Sequence, residues 1–147
     1  GAIGAPGTLA YADFFALMPP DNPVPVLPGD NVSFPQDGPT SGLSIFRTGV
    51  STFNLSAIGT YHVSFDVSIN EPGQLVLTLN GANLAYTVVG RATGTSEITE
   101  NVLVTTTTLN STLTVRNPAV NSTALTVTPL AGGTLASSAS LVIEQIG

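Results

Sequence analysis

Any side-chain chemistry in this chain has to begin at His62, its only histidine. Ser64 and Asp66 follow at alternate positions, so on a strand the three would share one face. Hydroxyl, imidazole and carboxylate are the groups of nucleophilic acyl transfer. The spacing argues against that use. Same-face residues two apart on one strand sit roughly 7 Å from each other, too far for the direct hydrogen bonds that a triad needs. A serine could arrive from a neighbouring strand, but no nucleophile-elbow motif accompanies it. The reading is a polar strand face that meets solvent or a subunit interface, and a protein that is not an enzyme.

The other candidate groups are equally diffuse. Glu71, Glu97, Glu100 and Glu144 could in principle supply the paired carboxylates of glycoside hydrolysis, but none sits in a recognisable context. One histidine and no cysteine make a poor zinc set. Asp13, Asp21, Asp30 and Asp37 are scattered without the ligand spacing of a calcium loop, so a solvated loop is expected, with neither metal nor cofactor. Four Asn-x-Ser/Thr sequons, at Asn31, Asn54, Asn110 and Asn121, mark possible glycosylation acceptors.

Composition narrows the classes further. The chain has 147 residues, enough for one domain with a real core. It carries 9 Asp+Glu, three arginines (Arg47, Arg91 and Arg116) and no lysine, for a net charge of −6. Phosphates find nothing to hold here, which excludes nucleic acid and a basic membrane-surface patch. Charged residues are only 8% against 42% hydrophobic, the opposite of a disordered composition. Neutral groups supply the polarity: 20 Thr, 13 Ser and 10 Asn. No apolar run approaches the ~20 residues of a spanning helix, and no signal-peptide pattern opens the chain. So little charge suggests that a partner chain covers some apolar surface.

The elements that must position these residues are strands. Gly1, Gly4 and Gly7 fall in the Gly-X-Y register of a collagen triple helix, although a chance Gly-rich terminus would read the same. Tyr11 to Met18 reads as a strand. Residues 19–39 hold seven of the 11 prolines, which forbids helix and central strand. A long ordered loop is expected there, with one short edge strand near Val24–Leu27. Leu43–Arg47 and Thr52–Leu55 are short strands. Thr60–Asn70 alternates fully: Tyr61, Val63, Phe65, Val67 and Ile69 face one way, Thr60, His62, Ser64, Asp66 and Ser68 the other. Gln74–Leu79 follows, then Asn80-Gly81, a favoured hairpin turn, with Leu84, Tyr86 and Val88 continuing the inner face of the return strand. Further strands are expected near Ile98–Thr107, Thr112–Arg116, Ala124–Thr128 and Ser138–Ile146. About ten short antiparallel strands mean a two-sheet sandwich or jelly roll.

Several segments carry a resemblance. Ala57-Ile58-Gly59-Thr60-Tyr61-His62-Val63-Ser64-Phe65 resembles the G-x-Y-x-F strand of complement-q/tumour-necrosis-factor-like jelly rolls. Residues 16–22 (ALMPPDN), 33–40 (SFPQDGPT), 71–75 (EPGQL), 86–94 (YTVVGRATG) and 117–119 (NPA) are similar to the C-terminal domains of BclA-type collagen-like glycoproteins of the bacterial exosporium, in their clostridial forms. The resemblance implies an all-β, homotrimeric tumour-necrosis-factor-like head over residues 10–147, following a stalk end over residues 1–9. It implies a structural role at the spore surface: nucleating and capping the stalk in the outer filament layer. Its partners would be copies of itself, with host surfaces or complement proteins as further candidates. In such folds the first and last strands lie in the sheet facing the threefold axis, which places Thr60, His62, Ser64, Asp66 and Ser68 in or near the interface. An adhesin or lectin-like head, and a phage or viral fibre tip, are the alternatives.

Overall fold

The computed structural model describes residues 9–147; Gly1, Gly4 and Gly7 lie outside them. Eleven strands are described: β1 (Ala10–Met18), β2 (Gln36–Thr40), β3 (Ile45–Gly49), β4 (Thr52–Leu55), β5 (Thr60–Ile69), β6 (Gly73–Leu79), β7 (Ala82–Asn83), β8 (Val89–Arg91), β9 (Ser96–Thr105), β10 (Ser111–Arg116) and β11 (Ser137–Gln145). They form two antiparallel sheets. One runs β2-β1-β11-β5-β9; the other runs β3-β4-β10-β6, with β7 and β8 both pairing β6. The first strand pairs the last, and the chain crosses between the sheets six times, after β2, β4, β5, β8, β9 and β10. This is the expected jelly-roll sandwich.

Alternation builds the core. On β5, Tyr61, Val63, Phe65, Val67 and Ile69 are buried while the five intervening residues are half-exposed. Phe14 of β1 and Phe53 of β4 meet across the sandwich with ring centroids 4.8 Å apart, and Phe34 packs on Phe53 at 6.1 Å. Asn80 and Gly81 both take positive φ, 51° and 84°, as the β6–β7 hairpin requires. The start of β1 and the C-terminal residues sit together: Ala10 pairs Gln145, and Thr60 bonds Gly147. β5 and β10 run away from that end, so the turns after Ile69 and Arg116 lie at the opposite end.

Three expected elements come out differently. The edge strand of the Pro-rich segment is Gln36–Thr40; Val26 makes only an isolated bridge, to Leu125. β2 tolerates Pro39 because it has a partner on one side only. Residues 84–88 do not continue the return strand. Ala85–Thr87 is a 3-10 turn, with Tyr86 and Val88 exposed. The Thr87 hydroxyl donates to the Leu84 carbonyl and accepts from the Leu77 N–H, replacing ladder bonds. Residues 124–128 make single bridges, Leu125 to Val26 and Val127 to Ile69, rather than a strand. The long 19–35 loop is ordered as expected, because Val26, Val32 and Phe34 are buried anchors.

Candidate functional site

The outward face of the β2-β1-β11-β5-β9 sheet carries every candidate residue of β5. Strand register lays it out in rows. Tyr11, Glu144, His62 and Leu103 form one row; Asp13, Val142, Ser64 and Asn101 form the next. Phe15, Ser140, Asp66 and Thr99 follow in a third. Polar β5 residues run down the middle of this face; its apolar side chains are Tyr11, Phe15 and Leu17 on β1, Val142 on β11 and Leu103 on β9. Tyr11 is 45% exposed, Leu17 36% and Leu103 52%. At the β9 edge the Tyr86 hydroxyl donates to the Leu103 carbonyl at 2.7 Å, adding another aromatic side chain that is 64% exposed.

His62 is bound across the sheet rather than along its own strand. Its Nδ1 meets Glu144 Oε1 at 3.1 Å and its Nε2 meets Asn101 Oδ1. Two acceptors on two ring nitrogens favour the imidazolium, and these bonds, Glu144's first, raise the His62 pKa above its usual value. Ser64 and Asp66 do not bond to it. The triad spacing thus resolves into a polar cross-strand cluster.

Asp66 lies diagonal to Glu97, because Ser68 opposes Glu97 and Asp66 opposes Thr99. Burial, then the Glu97 charge and a hydrogen bond to it, push the Asp66 carboxyl up to about 6. Beside this pair, at the end of the sheet remote from the chain termini, is a hollow of about 570 Å³ lined by Ser68, Ser96, Glu97 and Thr128 among others. It presents one carboxylate, which is not a hydrolytic pair.

Four further acids serve as braces. Glu71 accepts from the Thr126 N–H at 2.6 Å and hydroxyl at 2.7 Å. Burial alone would raise its pKa, but these bonds outweigh it and hold the carboxyl below its usual value. Asp21 accepts from the Leu17 N–H and the Gln36 amide. Asp37 is paired with Arg47. Glu100 accepts from the Asn101 N–H. Among the described residues no three His, Asp or Glu side chains are grouped to hold a metal ion. Of the sequons, Asn54 is buried and Asn31 accepts from Arg116. Asn110 is exposed in a turn, and Asn121 stands in the loop after β10.

The apolar members of the face, Tyr11, Phe15, Val142 and Leu103, are absent from the sequence-based set. A signal for them exists. β1 carries Tyr11, Phe15 and Leu17, three of four residues, on the face opposite its buried one, more apolar than a solvent-facing side of a strand needs.

No protein-family model matches the chain, and no curated protein matches it. Solved structures do. The globular domain of zebrafish complement 1qA protein aligns with a TM-score of 0.63 at 10% identity, over 93% of this chain and 96% of that one. Murine APRIL, in a crystal structure at pH 5.0, aligns at 0.63 and 13%, over 92% and 99%. Rabbit GITRL aligns at 0.55 and 10%, over 94% of each. The chain therefore has the complement-q/tumour-necrosis-factor-like jelly-roll fold.

Proposed function

We propose that this domain is a non-enzymatic, extracellular, self-trimerising head. In this reading the outward face of the β2-β1-β11-β5-β9 sheet, with Thr60, His62, Ser64, Asp66 and Ser68, is buried between protomers. The observation that carries it is the apolar content of that face: Tyr11, Leu17 and Leu103 stand exposed around a polar stripe whose members are only half-exposed. Large exposed apolar side chains beside a half-exposed polar stripe are the composition of a protein contact surface, with polar groups among apolar ones. The fold likeness supports the same arrangement. Three chains leaving one end of a closed trimer would hold a Gly-X-Y stalk in register, which fits Gly1, Gly4 and Gly7. A structural cap on a collagen-like filament of the spore surface is the specific role that the BclA-type segments favour.

Size exclusion with light scattering tests the central point. The expected mass is three times the 14.9 kDa of one chain. Tyr11→Arg combined with Leu103→Arg should give a folded monomer, since both side chains are exposed and neither supports the core. A wild-type monomer at micromolar concentration would overturn the reading.

A further inference from the structure

A second concave surface lies on the other sheet, at the end remote from the chain termini. Two hollows, of about 310 and 330 Å³, adjoin through Gly73 and Gln74. The first is walled by the loop after β10, with Asn121, Ser122 and Thr123; the second by Gly90, Arg91 and Ala92 of the β8 turn.

The groove is preformed. Asn117, 1% exposed, donates both amide hydrogens to backbone carbonyls, of Val26 and Thr123, at 2.9 Å each. That pins the base of the loop, and the Asn121 N–H to the Pro118 carbonyl closes it. The floor needs glycine. A Cβ on Gly90 would stand 2.6 Å from the Gly73 carbonyl oxygen, and one on Gly73 would stand 2.5 Å from Leu125.

Its chemistry is neutral. The Arg91 guanidinium is spent on the carbonyls of Thr93, Ser96, Ile69 and Glu71 and on the Ser96 hydroxyl. No guanidinium N–H is left to bind a phosphate or carboxylate directly. Asn121 Nδ2 donates to Gln74 Oε1 at 3.0 Å, which fixes two amides side by side. Asn121 Oδ1 and the Gln74 amide hydrogens remain for a ligand, an acceptor beside a donor, with the Ser122 and Thr123 hydroxyls next to them. Adjacent sugar hydroxyls each donate and accept, and they match this set. Val120, 91% exposed, and Ala92 offer apolar contacts for a ring face. A peptide would instead want an open strand edge with pockets for alternate side chains, and this groove is made of side-chain amides and hydroxyls.

We propose that this groove binds a neutral, unsubstituted carbohydrate. It presents the site on the end that faces away from the chain termini, and the proposal holds whether the protein is a monomer or a trimer. Shallow walls without an aromatic platform set the single-site Kd at about 1–10 mM.

The test is saturation-transfer NMR on the whole chain with lactose, cellobiose, maltose and mannobiose, paired with amide shift mapping. At least one sugar should receive saturation and shift the Gln74 side-chain amide and the backbone of residues 120–123. Gln74→Ala with Asn121→Ala should weaken that binding about tenfold, while the amide spectrum elsewhere stays unchanged. Should that pair disturb the loop, Ser122→Trp, exposed and outside the pinning bonds, should block the groove instead. No transfer from any of the four sugars, shifts confined to other surfaces, or full binding by the folded variants would overturn the proposal. So would a neutral Ser/Gly peptide shifting the same amides where the sugars do not.

Discussion

Replacing Asp66 by Asn should stabilise the protein at neutral pH and leave it unchanged in acid. The Asp66 carboxyl titrates at about 6 in the fold, against 3.8 ordinarily, because burial and then Glu97 disfavour its charge. Below both values the carboxyl is neutral folded and unfolded, so it contributes nothing. Between them the unfolded chain gives up a proton that the folded chain keeps, so stability falls as pH rises from about 4 to about 6. Above that range the penalty is constant. Two units at 1.36 kcal/mol each set a ceiling of about 3 kcal/mol; water still reaches the side chain, and screening reduces the expected effect to about 1 kcal/mol. An amide of the same shape cannot ionise and can still donate to Glu97. Asp66→Asn should therefore raise the thermal midpoint by roughly 2–4 °C at pH 8 and by nothing measurable at pH 3.5. The assay is calorimetry of both proteins across that range at matched protomer concentration. His62, whose pKa is raised, also makes the wild type lose stability as pH rises through its folded value. The difference between variant and wild type removes that contribution. An equal shift at both pH values, or destabilisation at pH 8, would refute the reasoning. Burial of this face between protomers would deepen the desolvation, so the difference should grow with protomer concentration.

Two further outcomes follow from the bonding. The folded head should resist trypsin, because its sites are Arg47, Arg91 and Arg116 and all three side chains are engaged, by Asp37, by backbone carbonyls and by Asn31. Mass spectrometry of a limited digest should find Arg47, on an edge strand, cut first; rapid cleavage at Arg91 would contradict the clamp seen there. Asn117→Ala should cost about 1–2 kcal/mol: the Thr123 carbonyl loses its protein donor, while the Val26 carbonyl keeps the Leu125 N–H. The midpoint should drop by roughly 2–8 °C, and no measurable drop would mean that the Thr123 carbonyl finds another partner.

Much of the fold is legible in period two. β5 alternates over its full length, and Asn80-Gly81 announces the only hairpin turn that both residues enter with positive φ among the described residues. The misreadings have separate causes, the first being that apolar alternation reports burial rather than ladder pairing. Leu125 and Val127 are buried as a strand would bury them, yet each bridges a different partner, Val26 and Ile69. Leu84, Tyr86 and Val88 alternate, but the Thr87 hydroxyl captures the N–H and C=O that a ladder would use. At β2 the prolines hid a strand, because an edge needs ladder bonds on one side only. The candidate face was half legible. The β5 residues could be chosen from one strand, whereas the partners of His62 arrive from β11 and β9, 82 and 39 residues away in sequence. Register between distant strands has no local signature.

The scarcity of charge constrains how copies of this chain can hold together. Among the described residues each arginine is committed within its own protomer, and no buried side-chain polar atom lacks a partner. Threonine and asparagine do the internal stitching, as in the buried Thr78–Thr114 hydroxyl contact and the Asn80 amide on β10. No basic side chain remains for an ion pair between protomers except the His62 imidazolium, which already faces Glu144. The same face carries Asp13, Asp66, Glu97 and Glu144, so copies apposed on it, as proposed, would bring like charges together. Attraction in that trimer would have to come from Tyr11, Phe15, Leu17, Val142 and Leu103, with neutral hydrogen bonds from Ser64 and Asn101. The acids act against it. Within one protomer burial first, and then Glu97, already push the Asp66 carboxyl up to about 6, so this acid sheds its charge at a higher pH than an ordinary aspartate.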